Sequence, residues 1–174
     1  AGLYFSGLRH GLSSERAETE SYNGTAWTEV ADLNAARSTY GESGVGISTA
    51  GACIAGYTPS GNFDNVENWN GTAWTETTDI NTARNALGGS GSATEGVVFA
   101  GRTPSKSGHT ERWNGSAWTE QSNLSRSIAY VGNATASGTT TFCAGGDSDA
   151  SPSAPAGTEE WNDPVLVTKT IDTD

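Results

Sequence analysis

Short apolar runs alternate with turn-forming clusters along the whole chain. In "ATEGVVFAGR", residues 93–102, β-branched and aromatic residues are bounded by glycines, which is typical of a buried β-strand. The shorter runs "TERW" and "AWTE" alternate polar and apolar residues, as half-buried strands do. No stretch of helix length keeps a 3.6-residue apolar period. The pattern therefore predicts an all-β protein.

One short phrase recurs along the chain. "NGTAWTE" occupies residues 23–29 and 70–76, and "NGSAWTE" occupies residues 114–120. The aromatic-Asn pairs that mark the repeat begin at positions 22, 69, 113 and 161, so the intervals are 47, 44 and 48 residues. A period in the mid-forties suits the four-stranded blades of a β-propeller.

Each repeat is predicted to centre on a β-hairpin. An Asn-Gly pair favours a two-residue turn with positive φ, which would pair Trp69 with Thr72 and Glu67 with Trp74. Trp69 and Trp74 would then be diagonal neighbours on one face of the sheet. We interpret seven aromatic residues as the structural repeat: Tyr22, Trp27, Trp69, Trp74, Trp113, Trp118 and Trp161.

Four strands, a to d, are assigned to each unit. The second unit has them at 40–49, 52–57, 65–70 and 73–79. The third has them at 86–93, 96–102, 110–114 and 117–123, and the fourth at 130–136, 140–145, 158–162 and 165–171. The first unit supplies strand b in "GLYFSG", strand c in "ETESY" and strand d in "AWTEVADL". It therefore lacks the innermost strand a.

These assignments predict blades at residues 1–33, 38–80, 85–124 and 128–172. Because a propeller avoids bare sheet edges by completing its ring, either residues upstream of Ala1 or another chain would supply the rest. We favour upstream residues. The chain is interpreted as a single propeller domain or as the C-terminal part of a larger one.

Composition and charge narrow the classes of partner. The formal net charge is −11, from 20 acidic and 9 basic residues, which argues against nucleic acid because phosphate binding depends on Lys and Arg. No window approaches the roughly 20 apolar residues of a membrane span, so membrane insertion is not expected. Cys53 and Cys143 are interpreted as small buried hydrophobes. The repeat alignment places them one strand position apart, and therefore on opposite faces.

Candidate chemistry is sparse. His10 and His109 are the only histidines, and they lack the close spacing of zinc ligands. A Glu recurs two residues before each anchor aromatic, and a residue that appears in every unit is a scaffold residue rather than part of one asymmetric catalytic constellation. We predict no catalytic residue, metal or cofactor. The four recurring carboxylates are Glu20, Glu67, Glu111 and Glu159.

The unit resembles the kelch repeat, and in particular the kelch-like proteins of marine bacteriophages. The matching residues are Trp69, Asn70, Gly71, Thr72, Trp74, Thr75, Glu76, Asp79, Asn81, Thr82, Ala83 and Arg84. The chain departs from this pattern in two places. The Gly doublet of strand b survives only at Gly145-Gly146, and Arg126 lies two positions early in its linker, with Ile128 where Arg37 and Arg84 fall. The resemblance implies a kelch-like β-propeller and a virion-associated, extracellular protein.

The loops between strands b and c differ most among the units in length, charge and Pro content. Since loops carry function on rigid scaffolds, and b–c loops share one propeller face with d–a linkers, this face is the candidate recognition surface. The alternative is that these loops drift without function. Our candidate ligand-binding residues are Arg9, His10, Tyr57, Asn62, Phe63, Arg102, Lys106, His109 and Asp147.

Three functional hypotheses follow. The first is a non-enzymatic virion surface or tail-appendage protein that binds a host-surface glycan or protein, multimeric on the particle and in contact with other virion proteins. The second is a structural decoration or assembly domain. The third, and weakest, is a propeller enzyme such as an oxidase or glycosidase, because no metal or carboxylate constellation stands out.

Overall fold

The computed structural model describes residues 1–9, 14–40, 43–134, 140–148 and 157–162. In these ranges the chain forms β-strands joined by turns, with no helix. Within the same ranges, therefore, no helix is long and apolar enough to cross a membrane. The all-β prediction is confirmed.

The strands fall into four successive units. The first contains β1 (Gly2–Phe5), β2 (Leu8–Arg9), β3 (Ser14–Glu15), β4 (Thr19–Tyr22) and β5 (Trp27–Glu29). The second contains β6 (Gly44–Ile47), β7 (Ala50–Thr58), β8 (Gly61–Trp69) and β9 (Trp74–Glu76). The third contains β10 (Gly88–Gly91), β11 (Gly96–Phe99), β12 (Thr110–Trp113) and β13 (Trp118–Gln121). The fourth contains β14 (Ile128–Ala129), β15 (Gly132–Ala134), β16 (Thr140–Ala144), β17 (Asp147–Ser148) and β18 (Thr158–Asn162).

Each unit is an antiparallel blade. The second and third are four-stranded meanders, β6-β7-β8-β9 and β10-β11-β12-β13, and the inner strand β10 contacts both β6 and β15. Among the described residues, the first blade consists of β1-β4-β5 without an inner strand, as predicted, and β15-β16-β18 form the described part of the fourth. The predicted strand at 165–171 lies outside the described residues. The prediction of a kelch-like β-propeller with four-stranded blades is confirmed.

The inner strands begin later than predicted because a left-handed residue precedes each of them. Tyr40, Ala86 and Tyr130 have φ values of 49°, 53° and 55°, a conformation that an extended strand cannot contain. The strands therefore begin only at Gly44, Gly88 and Gly132. The outer strands of the second and third units are also shorter than predicted.

The connection between strands b and c in the second blade was predicted to be a loop and is instead a hairpin. Tyr57 pairs with Asn62, and Thr58 pairs with Gly61, so strand c begins at Gly61 rather than at 65. Gly61 has a φ of 133°, which suits a glycine at the end of a tight turn. The candidate residues in this segment consequently stand on a rigid ribbon.

The predicted register of the c–d hairpins is wrong. Trp69 pairs directly with Trp74, across a four-residue loop rather than a two-residue turn. The reason is the Asn70 side chain, whose Oδ1 accepts the backbone N–H groups of Thr72 and Ala73, each at 2.9 Å. This bonding widens the loop, and Gly71 supplies the positive φ of 94°. The aromatic pairs do share one face, as predicted.

The three aromatic pairs have nearly the same geometry. The ring centroids of Trp69 and Trp74 lie 5.4 Å apart. The corresponding separations are 5.1 Å in the first blade and 5.3 Å in the third, within the range that favours aromatic packing. The pairs are Tyr22 with Trp27, Trp69 with Trp74, and Trp113 with Trp118.

The hydrophobic core consists of layers between neighbouring blades. In the first layer Phe5 packs edge-on against Trp74 with centroids 4.9 Å apart. In the second layer Ile54 lies in one buried cluster with Val98 and Trp118. The third layer gathers Val97, Phe99, Ile128, Val131 and Cys143, with Trp161 packed against them. Burial of apolar surface is therefore spread over the blade interfaces.

Both cysteines are buried, and both are free thiols. Their predicted orientation is wrong, because strand pairing places them at the same repeat position. Cys53 pairs with Glu67, and Cys143 pairs with Glu159. The connection from strand b to strand c is two residues longer in the fourth unit, and this even difference leaves both cysteines on the same face. Both thiols belong to the face of their blade that packs on the preceding one.

Candidate functional site

A pocket of about 290 Å³ lies where three units meet. Its walls come from the hairpins between strands b and c and from the linkers that enter the inner strands. Three of the nine predicted ligand-binding residues line it. The full lining is Tyr40, Tyr57, Asn62, Asn85, Arg102, Thr103 and Tyr130.

The linkers are held side by side by backbone hydrogen bonds. The N–H of Ala86 donates to the carbonyl of Thr39 at 3.4 Å, and the N–H of Tyr130 donates to the carbonyl of Ala86 at 2.9 Å. Tyr40 and Tyr130 consequently stand at equivalent positions of the second and fourth units. Their side chains are 40% and 44% exposed, so both rings are available to a ligand.

Two side-chain amides fix the wall of the pocket. Nδ2 of Asn62 donates to the carbonyls of Arg102 and Thr103, at 3.0 and 3.2 Å. Nδ2 of Asn85 donates to Oδ1 of Asn62 at 2.6 Å. Asn85 and Arg102 also exchange backbone hydrogen bonds of 3.0 and 2.8 Å. These hydrogen bonds join the second and third blades in the absence of a ligand.

Charge in the pocket has the opposite sign to that of the protein. The chain carries a net charge of −11, whereas Arg102 is the charged member of the lining and is a cation. In the described part of the chain, no carboxylate forms an ion pair with Arg102. A guanidinium presents donors in a fork that matches a carboxylate. The pocket therefore offers aromatic faces together with one anion-binding group.

Lys106 and Asp147 lie beside this pocket and form an ion pair, with Nζ and Oδ2 2.8 Å apart. The backbone of Lys106 bridges to Arg102. Asp147 pairs with Ala129, the residue before Tyr130. The structure thus brings five predicted residues into one neighbourhood, three in the pocket and two at its edge.

The other predicted residues lie elsewhere. Phe63 faces Arg37, whose guanidinium carbon lies 5.6 Å from the ring centroid. His109 is half-buried before β12, and among the described residues its Nδ1 has no hydrogen-bond partner. Arg9 ends β2, and His10 lies outside the described residues. No group of His, Cys, Asp and Glu that could hold a metal occurs in the described ranges.

Four pocket residues were missed from the sequence: Tyr40, Asn85, Thr103 and Tyr130. A signal existed for two of them. The predicted inner strands begin at positions 40, 86 and 130, where the repeat reads Tyr, Ala and Tyr. Variation at one repeat position on the loop face marks a candidate contact in the same way as variation in the loops.

The recurring glutamates form a second kind of site, which we term the interblade clamp. Oε2 of Glu111 accepts the backbone N–H and the side-chain amide of Asn81, each at 2.7 Å, and Oε1 accepts Nη1 of Arg84 at 2.6 Å. Asn81 and Arg84 belong to the linker after the second blade, whereas Glu111 is on β12 of the third. The carboxylate therefore joins two blades, and the scaffold interpretation of this residue is confirmed.

The clamp recurs on both sides of this interface. Glu67 accepts the N–H and amide of Asn34, at 2.7 and 2.8 Å, and pairs with Arg37. In the fourth unit Arg126 still reaches Glu159, with Nε 3.3 Å from Oε1, despite its early position in the linker. The N–H of Ser125 donates to the other oxygen at 2.7 Å. The glutamate at this repeat position therefore bonds to two different linker sequences.

Comparisons with known proteins establish the fold and nothing more. No family model matches the chain, and no curated protein matches it. Among solved structures, the chain is similar to that of YjhT, with a TM-score of 0.69 and 14% sequence identity. The likeness covers 83% of this chain and 49% of that chain, so this chain spans about half the length of its structural neighbour.

Proposed function

We propose that this protein is a non-enzymatic virion surface or tail-appendage protein that recognises a host-surface glycan. The observation that supports the proposal best is the convergence of three blades on one pocket that exposes Tyr40 and Tyr130 beside Arg102. The assignment to a virion rests on the resemblance of the repeat to kelch-like proteins of marine bacteriophages. It implies an extracellular location and contact with other virion proteins.

The lining suits a sugar. The C–H faces of a sugar ring are apolar and pack on tyrosine rings, while phenol and amide groups can bond to its hydroxyl groups. Arg102 adds a site for a carboxylate, so we infer a preference for acidic glycans. A pocket of about 290 Å³ holds little more than one or two sugar units, and many copies on a particle would raise the overall affinity.

A glycan array probed with the labelled full chain tests this proposal. We expect binding to carboxylated glycans, measured afterwards by calorimetry on one positive glycan. Tyr130→Ala should weaken binding by about tenfold or more, which corresponds to about 1.4 kcal/mol. Arg102→Met should remove the preference for the carboxylated form over its neutral counterpart.

Tyr4→Ala is the matched control, because Tyr4 is also an exposed tyrosine, 56% exposed, but lies in the first blade outside the pocket. It should leave the affinity unchanged. Failure to bind any glycan, or equal losses for Tyr4→Ala and Tyr130→Ala, would contradict glycan recognition. Mass spectrometry of purified particles tests the virion assignment separately, and absence of the protein from them would contradict it.

A further inference from the structure

The first blade exposes the positions that the other blades bury against their predecessor. Successive side chains of a strand point to opposite faces. Phe5 packs on Trp74 of the second blade, so Tyr4 points the other way. Strand pairing places Tyr4 opposite Glu20, just as Cys53 lies opposite Glu67. We term Tyr4, Glu20 and Trp27 the first-blade face.

Burial separates this face from its counterparts. The equivalent residues of the second blade are Cys53, Glu67 and Trp74, and those of the third are Val98, Glu111 and Trp118; all six are buried. In the first blade, Tyr4 is 56% exposed, Trp27 is 52% exposed and Glu20 is exposed. Trp74 and Trp118, by contrast, are only 6% and 8% exposed. The first-blade face therefore has the residues of an interblade interface, but its side chains are exposed.

Glu20 occupies the repeat position of the clamp glutamates but has no clamp partners among the described residues. In the described part of the chain it forms no ion pair, and no side-chain hydrogen bond reaches its carboxylate. It lies in an open groove of about 440 Å³ that also contains Tyr4 and Ser6. Ser6 occupies the position of Ala55, whose carbonyl accepts the Arg37 guanidinium, and the two residues have φ values of 63° and 59°. The groove thus repeats the acceptors that surround Arg37.

We propose that the first-blade face docks a further blade of the same repeat type, whose linker carries Asn and, three residues later, Arg. The Asn N–H and amide would bind one oxygen of Glu20, and the guanidinium would bind the other. Trp27 and Tyr4 would be covered by the apolar face of the arriving blade. This inference does not depend on the proposed function.

A second copy of this chain does not provide that chemistry. The linker arginines Arg37, Arg84 and Arg126 are each engaged with a glutamate of their own chain. A second copy would have to break one of its own clamps to occupy Glu20, so the occupant is a blade that brings its own Asn and Arg.

The experiment extends the full chain by one blade. A copy of residues 44–95 is placed directly before Gly2, which is possible because β1 and β11 occupy the same position in their blades. The copy supplies a complete blade, the linker with Asn81 and Arg84, and an inner strand. Glu20→Gln should lower the melting temperature of this extended chain by several degrees, since 1 kcal/mol shifts the melting temperature of a chain of this size by about 2–4 °C. It should leave the original chain unchanged.

The copied Arg84→Met should have the same effect on the extended chain, and the double variant should lose no more than either single variant. Glu29→Gln is the matched control, because Glu29 lines the same groove but does not occupy the clamp position. It should change neither chain. Equal shifts for Glu20→Gln in the two chains would overturn the proposal.

A measurement on the unextended chain keeps the proposal testable if the extended chain does not fold. A labelled peptide of residues 77–87 should bind the full chain detectably in fluorescence anisotropy, and binding should disappear with Glu20→Gln or with Arg84→Met in the peptide. Identical binding by all variants would count against the clamp. Self-association of the original chain that Glu20→Gln abolishes would show that a second copy occupies the face, and would overturn the proposed occupant.

Discussion

Arg84 and Glu111 form an ion pair between two blades, with Nη1 of the arginine 2.6 Å from Oε1 of the glutamate, and both side chains are almost fully buried. Burial lowers the pKa of Arg84, and the neighbouring carboxylate of Glu111 opposes that shift. The second carboxylate oxygen is occupied by Asn81. A polar network therefore fixes how consecutive blades meet, within layers that are otherwise apolar.

Removing one partner of this pair should destabilise the protein strongly. Arg84→Met leaves Glu111 buried without its cation, which typically costs about 3–5 kcal/mol. The control is Arg16→Met, because Arg16 and Glu18 form an ion pair in which both side chains are about two-fifths exposed, and such pairs contribute about 0–1 kcal/mol. Urea unfolding measures both variants. Equal losses would contradict a special role for the clamp.

The repeated tryptophans should differ in importance according to their blade. Trp74 is buried and donates its Nε1–H to Oγ1 of Thr19 in the preceding blade, at 2.9 Å. Trp74→Ala should cost about 3–5 kcal/mol of unfolding free energy. Trp27→Ala, at the same repeat position in the first blade, should cost less than about 1 kcal/mol because this ring is half exposed. Denaturant titration distinguishes the two, and a large loss for Trp27→Ala would contradict the comparison.

The two cysteines should be unreactive in the folded protein. Burial raises the pKa of Cys53 to about 12, with a further contribution from Glu67 and opposition from Arg37. Burial also raises the pKa of Cys143. Since the thiolate is the reactive form, a thiol reagent such as Ellman's reagent should label neither cysteine under mildly alkaline native conditions and both after unfolding in urea. Rapid labelling of the native protein would contradict the buried placement.

The fourth-unit clamp should lose its contribution at acid pH. Burial alone would raise the pKa of Glu159, but hydrogen bonds from Ser125 and Arg126 outweigh it and hold the pKa below its ordinary value of 4.5. A lowered folded-state pKa stabilises the protein above pH 4.5 and ceases to do so as the pH falls through the lowered value. Wild type should therefore exceed Glu159→Gln in unfolding free energy at neutral pH, and the difference should shrink in acid. A difference that does not change with pH would contradict this.

The fold could be predicted because its signals are local and repeated. The aromatic anchors, the Asn-Gly turns and the short glycine-bounded strands each lie within a few residues, and their mid-forties period specifies the blade. The register of the hairpins could not be predicted from turn propensity, since it depends on whether the Asn70 side chain captures two N–H groups. That bond is a property of the folded loop.

The candidate sites depend on contacts between distant residues. Loop variation identified Tyr57, Asn62 and Arg102, which the structure brings together. It missed Tyr40 and Tyr130 because a left-handed residue at the edge of a predicted strand leaves no mark in the hydrophobic pattern. The partner of Glu67 was missed for a related reason, because Arg37 lies 30 residues earlier, in the linker after the first blade.

The interblade clamp also bears on how such a protein can change its size. The first and second units each give an Asn and an Arg to their successor, and the second and third units each offer a glutamate to their predecessor. The two sides of the second module are therefore complementary to each other. Duplication of one period of 44–48 residues at the gene level would insert a new module that already carries the Asn and Arg donors on one side and the glutamate acceptor on the other. Growth or shrinkage by recombination would then need no compensating substitution at the new junctions.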